Sequence, residues 1–143
     1  MKTVFRILII MSLLYAGMCY YTRVTEKNID DALPAEAGRV LRNGTFVGKD
    51  SVHEGRGKVS EHVLGEEKLL RFEEFYVTNG IDLRVMLSED GSVSSSTIKL
   101  ARLKGNSGNQ NYDIPKEVNT EVLDTVIIYS RIFKTIFSTA TLH

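Results

Sequence analysis

"IDLRVMLSEDG", residues 81–91, places Leu83, Val85 and Leu87 on one side of an extended chain and Arg84, Met86 and Ser88 on the other. Successive side chains of a strand point to opposite faces, so this alternation predicts a strand with one buried face. Asp90-Gly91 closes the run with a hairpin-turn pair. Working outward, "GTFVG" (44–48) reads as a first strand and "GKVSEHVL" (57–64) as a second. "KLLRFEEFYV" (68–77) sets Leu70 and Phe72 on one face and then changes phase at Glu73-Glu74, which predicts a bulge. "TIKLARL" (97–103) follows, then a loop rich in Gly and Asn that leads into "NYDIP". "TVIIYSRIF" (125–133) and "TIFSTATL" (135–142) end the series. Short strands at this spacing, with no helix-period stretch among them, predict an all-β domain, an antiparallel sandwich or barrel over 44–143.

In "VIIYSRIF", Ser130 shares its face with Val126, Ile128 and Ile132, while Ile127, Tyr129, Arg131 and Phe133 take the other. Ser130 is therefore expected to point into the core, where its hydroxyl needs a hydrogen-bond partner.

The first 23 residues have a different texture. Lys2 and Arg6 precede an uncharged run from Ile7 to Thr22, and Tyr15, Tyr20 and Tyr21 gather toward its far end. The run is somewhat shorter than the ~20 residues that span a bilayer, and it lengthens if Arg6 snorkels to the interface. The expectation is an uncleaved signal anchor over 1–23, a single-pass transmembrane helix in the cell membrane. Its basic end stays in the cytoplasm and the C-terminal domain lies outside. A cleaved signal peptide and lipidation at Cys19 are the alternatives; the first wants smaller residues than Gly-Met-Cys at the cut, and the second wants a small residue where Met18 stands. Residues 24–43, acidic at first and broken by Pro34, read as a linker with a turn of helix around 35–41.

Composition narrows the function. The 143 residues carry 18 basic and 18 acidic side chains, so nothing points to nucleic acid as a partner. The single cysteine, Cys19, excludes an intrachain disulfide and a cysteine-built zinc or iron–sulfur site. His53, Glu54, Glu61 and His62 are metal-ligand types, but one strand would send His53 and His62 to opposite faces, and solvated turn residues are the better reading. No metal site is expected. No nucleophile elbow is present, so a hydrolase has no supporting constellation and an enzyme is not the expectation. "GNSGNQNYDIP" (105–115) is the most unusual stretch: Gly and Asn tolerate positive φ, giving either a tight structural loop or a ligand cradle around Asn109, Asn111 and Tyr112.

Taken together, "GTFVGKD", His53 with the following "EGRGKV", "LLRFEEFYVTNGIDLRVMLS", "LKGNSGNQNYDIP" and "VIIYSRIF…FSTATL" resemble the DM-thirteen domain, from Gly44 to Leu142. This is a small extracytoplasmic β-sandwich labelled an electron-transfer domain and found beside haem-binding DOMON modules and membrane cytochromes. The resemblance implies a redox setting, with a membrane cytochrome or other redox protein as partner. The family's proposed redox group is a cysteine after an aromatic, in a "WC-x-x-F" type sequence. Here Tyr129 stands for the aromatic, Ser130 for the cysteine, and Phe133 at or near the closing phenylalanine. A serine hydroxyl has no thiolate chemistry. The resemblance therefore implies either an accessory or binding module without a thiol carrier, or an electron-transfer component using a bound haem or copper, with His53 or Tyr129 as candidate residues.

Overall fold

The computed structural model describes residues 1–143, with the side chains of 2 and 21–25 excepted. Helix α1, Lys2–Thr25, comes first. Ten strands follow: β1 Asn28–Asp30, β2 Val40–Thr45, β3 Val47–Gly48, β4 Gly55–Leu64, β5 Glu67–Val77, β6 Leu83–Ser88, β7 Ile98–Arg102, β8 Ser107–Ile114, β9 Thr125–Ser130 and β10 Thr135–Thr141. They form two five-stranded sheets, ordered β1-β8-β5-β4-β2 and β3-β10-β9-β6-β7. The protein is a β-sandwich with one N-terminal apolar helix.

The pairing is antiparallel except between β1 and β8, which run parallel. The inner faces supply the core that the alternation of β6 predicted: Leu83, Val85 and Leu87 are buried together with Val126 and Ile128 of β9 and with Val59, Leu70 and Phe72 of the facing sheet. Phe46, in the break between β2 and β3, packs edge-on against Phe72 and Phe75, with ring centroids 4.8 and 4.9 Å away. Such aromatic pairs add to simple burial.

The phase change at the paired glutamates is a β-bulge. The register runs Arg56↔Tyr76 and then Lys58↔Glu73, so β5 carries one extra residue. Glu74 takes up the slack at φ 49°. Phe72 and Phe75 can then both face inward while Glu73 and Glu74 both stay exposed. Gly57 sits opposite, where an added Cβ would lie 2.6 Å from the Phe75 Cα. Only glycine fits that approach.

Several expectations are corrected. The Gly/Asn stretch is strand β8, an interior strand of its sheet. At Gly108, φ is 95° and a Cβ would run into the Ile29 carbonyl oxygen. The absent side chain is what lets β1 lie against β8. Residues 24–43 are more than a spacer, since they contain β1 and the start of β2. The segment between is strapped over the sheet: Arg71 donates to the Asp31 carbonyl at 2.6 Å, and the Gly38 amide to Val63 at 2.8 Å. The strand "VIIYSRIF" stops at Ser130. Residues 131–134 turn into β10, so Ile132 is exposed rather than on the core face. Ser88 is buried, its hydroxyl donating to the Ser92 carbonyl at 2.5 Å inside a connection longer than a two-residue hairpin turn.

The register fixes which connections share an end. Leu83 pairs with Ser130, Arg84 with Arg102, and Tyr76 with Ser107. The loops 78–82, 103–106 and 131–134 therefore gather at one end of the sandwich. The start of β1, where α1 hands over, lies there too, because Asn28 pairs with Ser107. The opposite end is tied by a buried carboxylate. Glu61 accepts from Arg42 Nε and Nη2 at 2.9 and 2.8 Å and from the Thr120 hydroxyl at 2.7 Å, with Lys68 Nζ 3.3 Å away. Burial pushes the Glu61 carboxyl up. The Thr120 and Arg42 hydrogen bonds, with the Arg42 and Lys68 charges, outweigh burial and hold it below its ordinary value.

Candidate functional site

Ser130 closes β9 at the end where α1 joins. It is fully buried at 0% exposure. Its hydroxyl donates to the Ile81 carbonyl at 2.8 Å and accepts from the Phe133 amide at 3.3 Å. One side chain thus ties the 78–82 loop to the 131–134 turn, and both its bonds are spent on backbone. Tyr129 is half-buried on the outer face, opposite Arg84 in the register.

Beside Tyr129 lies a charge cluster that spacing in the sequence does not reveal. Asp82 sits at φ 52° just before β6. Its carboxylate meets Arg84 Nη2 at 2.6 Å, Arg131 Nε at 2.7 Å and Arg102 Nη2 at 3.4 Å. Burial pushes the Asp82 carboxyl up, but the Arg131 hydrogen bond and the Arg84 and Arg131 charges hold it below the usual carboxylate range. Three guanidinium groups on one carboxylate leave the cluster positive. Next to it, Lys27, Asn79, Asp82, Arg102 and Lys104 line a cleft of about 260 Å³.

His53 lies at the same end. Its Nδ1 sits 2.8 Å from Asp50 Oδ1 and its ring packs on Phe137, centroids 4.5 Å apart. Hydrogen bonds from the His53 side chain and amide lower the exposed Asp50 carboxyl to about 2. A Cβ on Gly80 would touch the Phe137 ring at 2.7 Å, so His53, Phe137 and the 78–82 loop are layered together.

Asn109, Asn111 and Tyr112 do not converge on a cradle. The asparagines lie on the outer face and serve the β1 strap: Asn109 Nδ2 donates to Asp30 at 2.9 Å and Asn111 Nδ2 to the Ala32 carbonyl at 2.7 Å. Tyr112 points the other way, into the core, with its hydroxyl donating to Gln110 Oε1 at 2.5 Å and accepting from the Lys104 amide at 2.9 Å. Burial raises its phenol well above the ordinary value.

The donors are not gathered as a multi-ligand metal centre. Among the described residues no three His, Cys, Asp or Glu side chains are grouped to hold a metal ion. His53 Nδ1 is engaged by Asp50, and His62 Nε2 lies 2.9 Å from the Ser60 hydroxyl. His62 Nδ1 is buried without a hydrogen-bond partner, but it belongs to no group of three metal-ligand side chains such as a copper centre draws on.

The fold and this end of it define a small sandwich module in which a buried serine stands at the strand terminus, rimmed by arginines. The chain belongs to the electron transfer DM13 family, which matches residues 45–142. The matched span covers β3 to β10 and leaves β1 and α1 outside it. No curated protein and no solved structure matches the chain.

Proposed function

We propose that this chain is a membrane-anchored DM13 protein whose sandwich works outside the cytoplasm as an accessory or binding module of a redox system. A membrane cytochrome or other redox protein is its partner class. The observation that carries the reading is Ser130, which stands where the family resemblance puts the redox cysteine and spends its hydroxyl on the Ile81 and Phe133 backbone. The sandwich contains no cysteine, and Cys19 lies on α1. Thiolate capping, disulfide exchange and soft-metal binding therefore have no sulfur to use within the sandwich.

The anchor is supported by α1 itself. Thr3–Tyr20 has a mean hydropathy of 1.7 and none of it is buried against the protein. At 24 residues the helix is about 36 Å long, against a hydrocarbon core of about 30 Å. A signal sequence shares these properties, and the presence of residues 1–23 on the native protein separates the two. Intact mass should retain Met1 to Arg23, and alkaline extraction should leave the protein with the membrane. A mature start between Cys19 and Arg23 would replace the anchor with a cleaved leader. A visible absorption spectrum, before and after dithionite, tests the module directly. It should be featureless, and a haem or copper band would overturn the reading.

A further inference from the structure

The end of the sandwich that carries Ser130 is also the end that meets α1. Only Glu26 and Lys27 separate the helix from β1, and Lys27 lines the cleft beside Asp82. On the two loops that Ser130 joins, Ile81 of the 78–82 loop and Ile132 and Phe133 (60% exposed) of the 131–134 turn stand exposed. The two loops are held as one surface, because Ser130 bonds Ile81 and the Arg131 amide donates to the Asp82 carbonyl at 3.2 Å.

Basic groups surround that apolar tip. Arg102 and Arg131 are largely exposed, and Lys134 stands beside Phe133. The acids at this end include Glu26, Asp31, Asp50, Glu54 and Asp82. Asp50 is engaged by His53, and Asp82 is outnumbered by its arginines. Lys104 is answered by Asp31. The opposite end has the reverse character: Glu66 lies on the β4–β5 turn and Glu67 opens β5, with Glu89 and Asp90 after β6, and Glu117 and Glu121 after β8. Of the lysines there, Lys116 pairs with Glu66 and Lys68 with Glu61. Apolar side chains ringed by Arg and Lys are the chemistry of an interfacial membrane contact, in which the rings and aliphatic groups enter the headgroup boundary and the cations meet lipid phosphates.

We infer that the 78–82 and 131–134 loops form a second membrane contact: Phe133, Ile132 and Ile81 enter the interface and Arg102, Arg131 and Lys134 bind anionic phospholipid headgroups. This holds the sandwich upright with Ser130 facing the bilayer. The inference rests on the anchor reading. A lipid surface is favoured over a protein because α1 is joined to this end by two residues, which keeps it beside the bilayer.

The chain contains no tryptophan, so Phe133→Trp supplies a single reporter. The full-length variant is placed in lipid nanodiscs containing phosphatidylglycerol, with or without brominated acyl chains. The introduced indole should emit to the blue of the same variant unfolded in denaturant, and should be quenched by the brominated lipid. A Val93→Trp reporter at the opposite end should escape that quenching. In all-phosphatidylcholine discs, or with Arg102→Gln and Lys134→Gln added, the blue shift and quenching of the Phe133→Trp reporter should be lost or much reduced. The lipid exchange needs no charge mutation, so misfolding does not confound it. A chain that enters the discs but keeps the indole water-like and unquenched refutes the contact while leaving the anchor intact, and yields this end to a protein partner. A chain that does not enter the discs refutes the anchor reading, and this inference falls with it.

Discussion

Removing the Ser130 hydroxyl tests what that side chain does. In Ser130→Ala the Ile81 carbonyl loses its donor and the Phe133 amide its acceptor, at a position that is fully buried. A typical intramolecular hydrogen bond contributes about 1 kcal/mol net, and a stranded buried polar group costs about 1–3 kcal/mol. The 3.3 Å bond is the weaker and its turn is near solvent, so a loss of about 2 kcal/mol is expected for the pair. Ser130→Cys keeps the shape and a weak S–H donor, and should lose no more than about 1.5 kcal/mol, the range for near volume-conserving exchanges. Urea unfolding reads both. With a slope of about 1–3 kcal/mol per molar, the alanine variant should unfold roughly 0.7–2 M earlier and the cysteine variant less than that. In a Cys19→Ser background the new thiol should alkylate slowly when folded and quickly in denaturant, because buried thiols in apolar surroundings are inert. An unchanged alanine midpoint would show that the hydroxyl does not hold the two loops. Fast labelling of the folded cysteine variant would put residue 130 at the surface.

Three other outcomes follow from the geometry. The Glu61 carboxyl is held below its ordinary value of 4.5, so its contribution is present above that pH and drains away as pH falls through the folded pKa. Glu61→Gln should therefore flatten the acid limb of the stability curve below about pH 4.5 and cost about 2–3 kcal/mol at pH 7, less than a wholly buried pair because Arg42 and Lys68 keep some solvent. An unaltered pH slope in a thermal-melt series would contradict the assignment. Gly108→Ala drives a Cβ into the Ile29 carbonyl at a backbone angle that side chains resist; hydrogen exchange should show the amides of 28–30 losing protection while β6 and β9 keep theirs. Asp82→Asn removes the anion at the centre of three arginines, and should loosen the 78–82 and 131–134 loops together, read as faster exchange at both.

Much of the sandwich was legible because its strands have one apolar face. The alternation of Leu83, Val85 and Leu87 is visible without partners, and so is the slip at Glu73-Glu74, since two adjacent glutamates cannot both avoid the core in an unbroken strand. Ser130 was legible for the same reason, as the small member of the Val126–Ile128 face. Strand β8 was not. Its asparagines serve the β1 strap and its Gly108 is explained by Ile29, some eighty positions earlier. The end of β9 was hidden because Ile132 and Phe133 look like core and are surface. The Asp82 cluster was out of reach, since Arg84, Arg102 and Arg131 meet only through the register of three strands.

The parallel strand β1 changes how far the domain can travel. A free stretch of 24–43 would let the sandwich swing through roughly 65–70 Å, at about 3.3–3.6 Å per extended residue. With Asn28–Asp30 paired to β8, the slack is Glu26 and Lys27, on the order of 7 Å. With α1 in a bilayer, as proposed, the domain becomes a short post rather than a tethered float. Encounters are then set by lateral diffusion in the plane of the membrane, and a partner of the Ser130 end must present its own surface close to the lipid. Cutting the β1–β8 pairing would lengthen the leash and dilute those encounters without altering any residue of the sandwich's core.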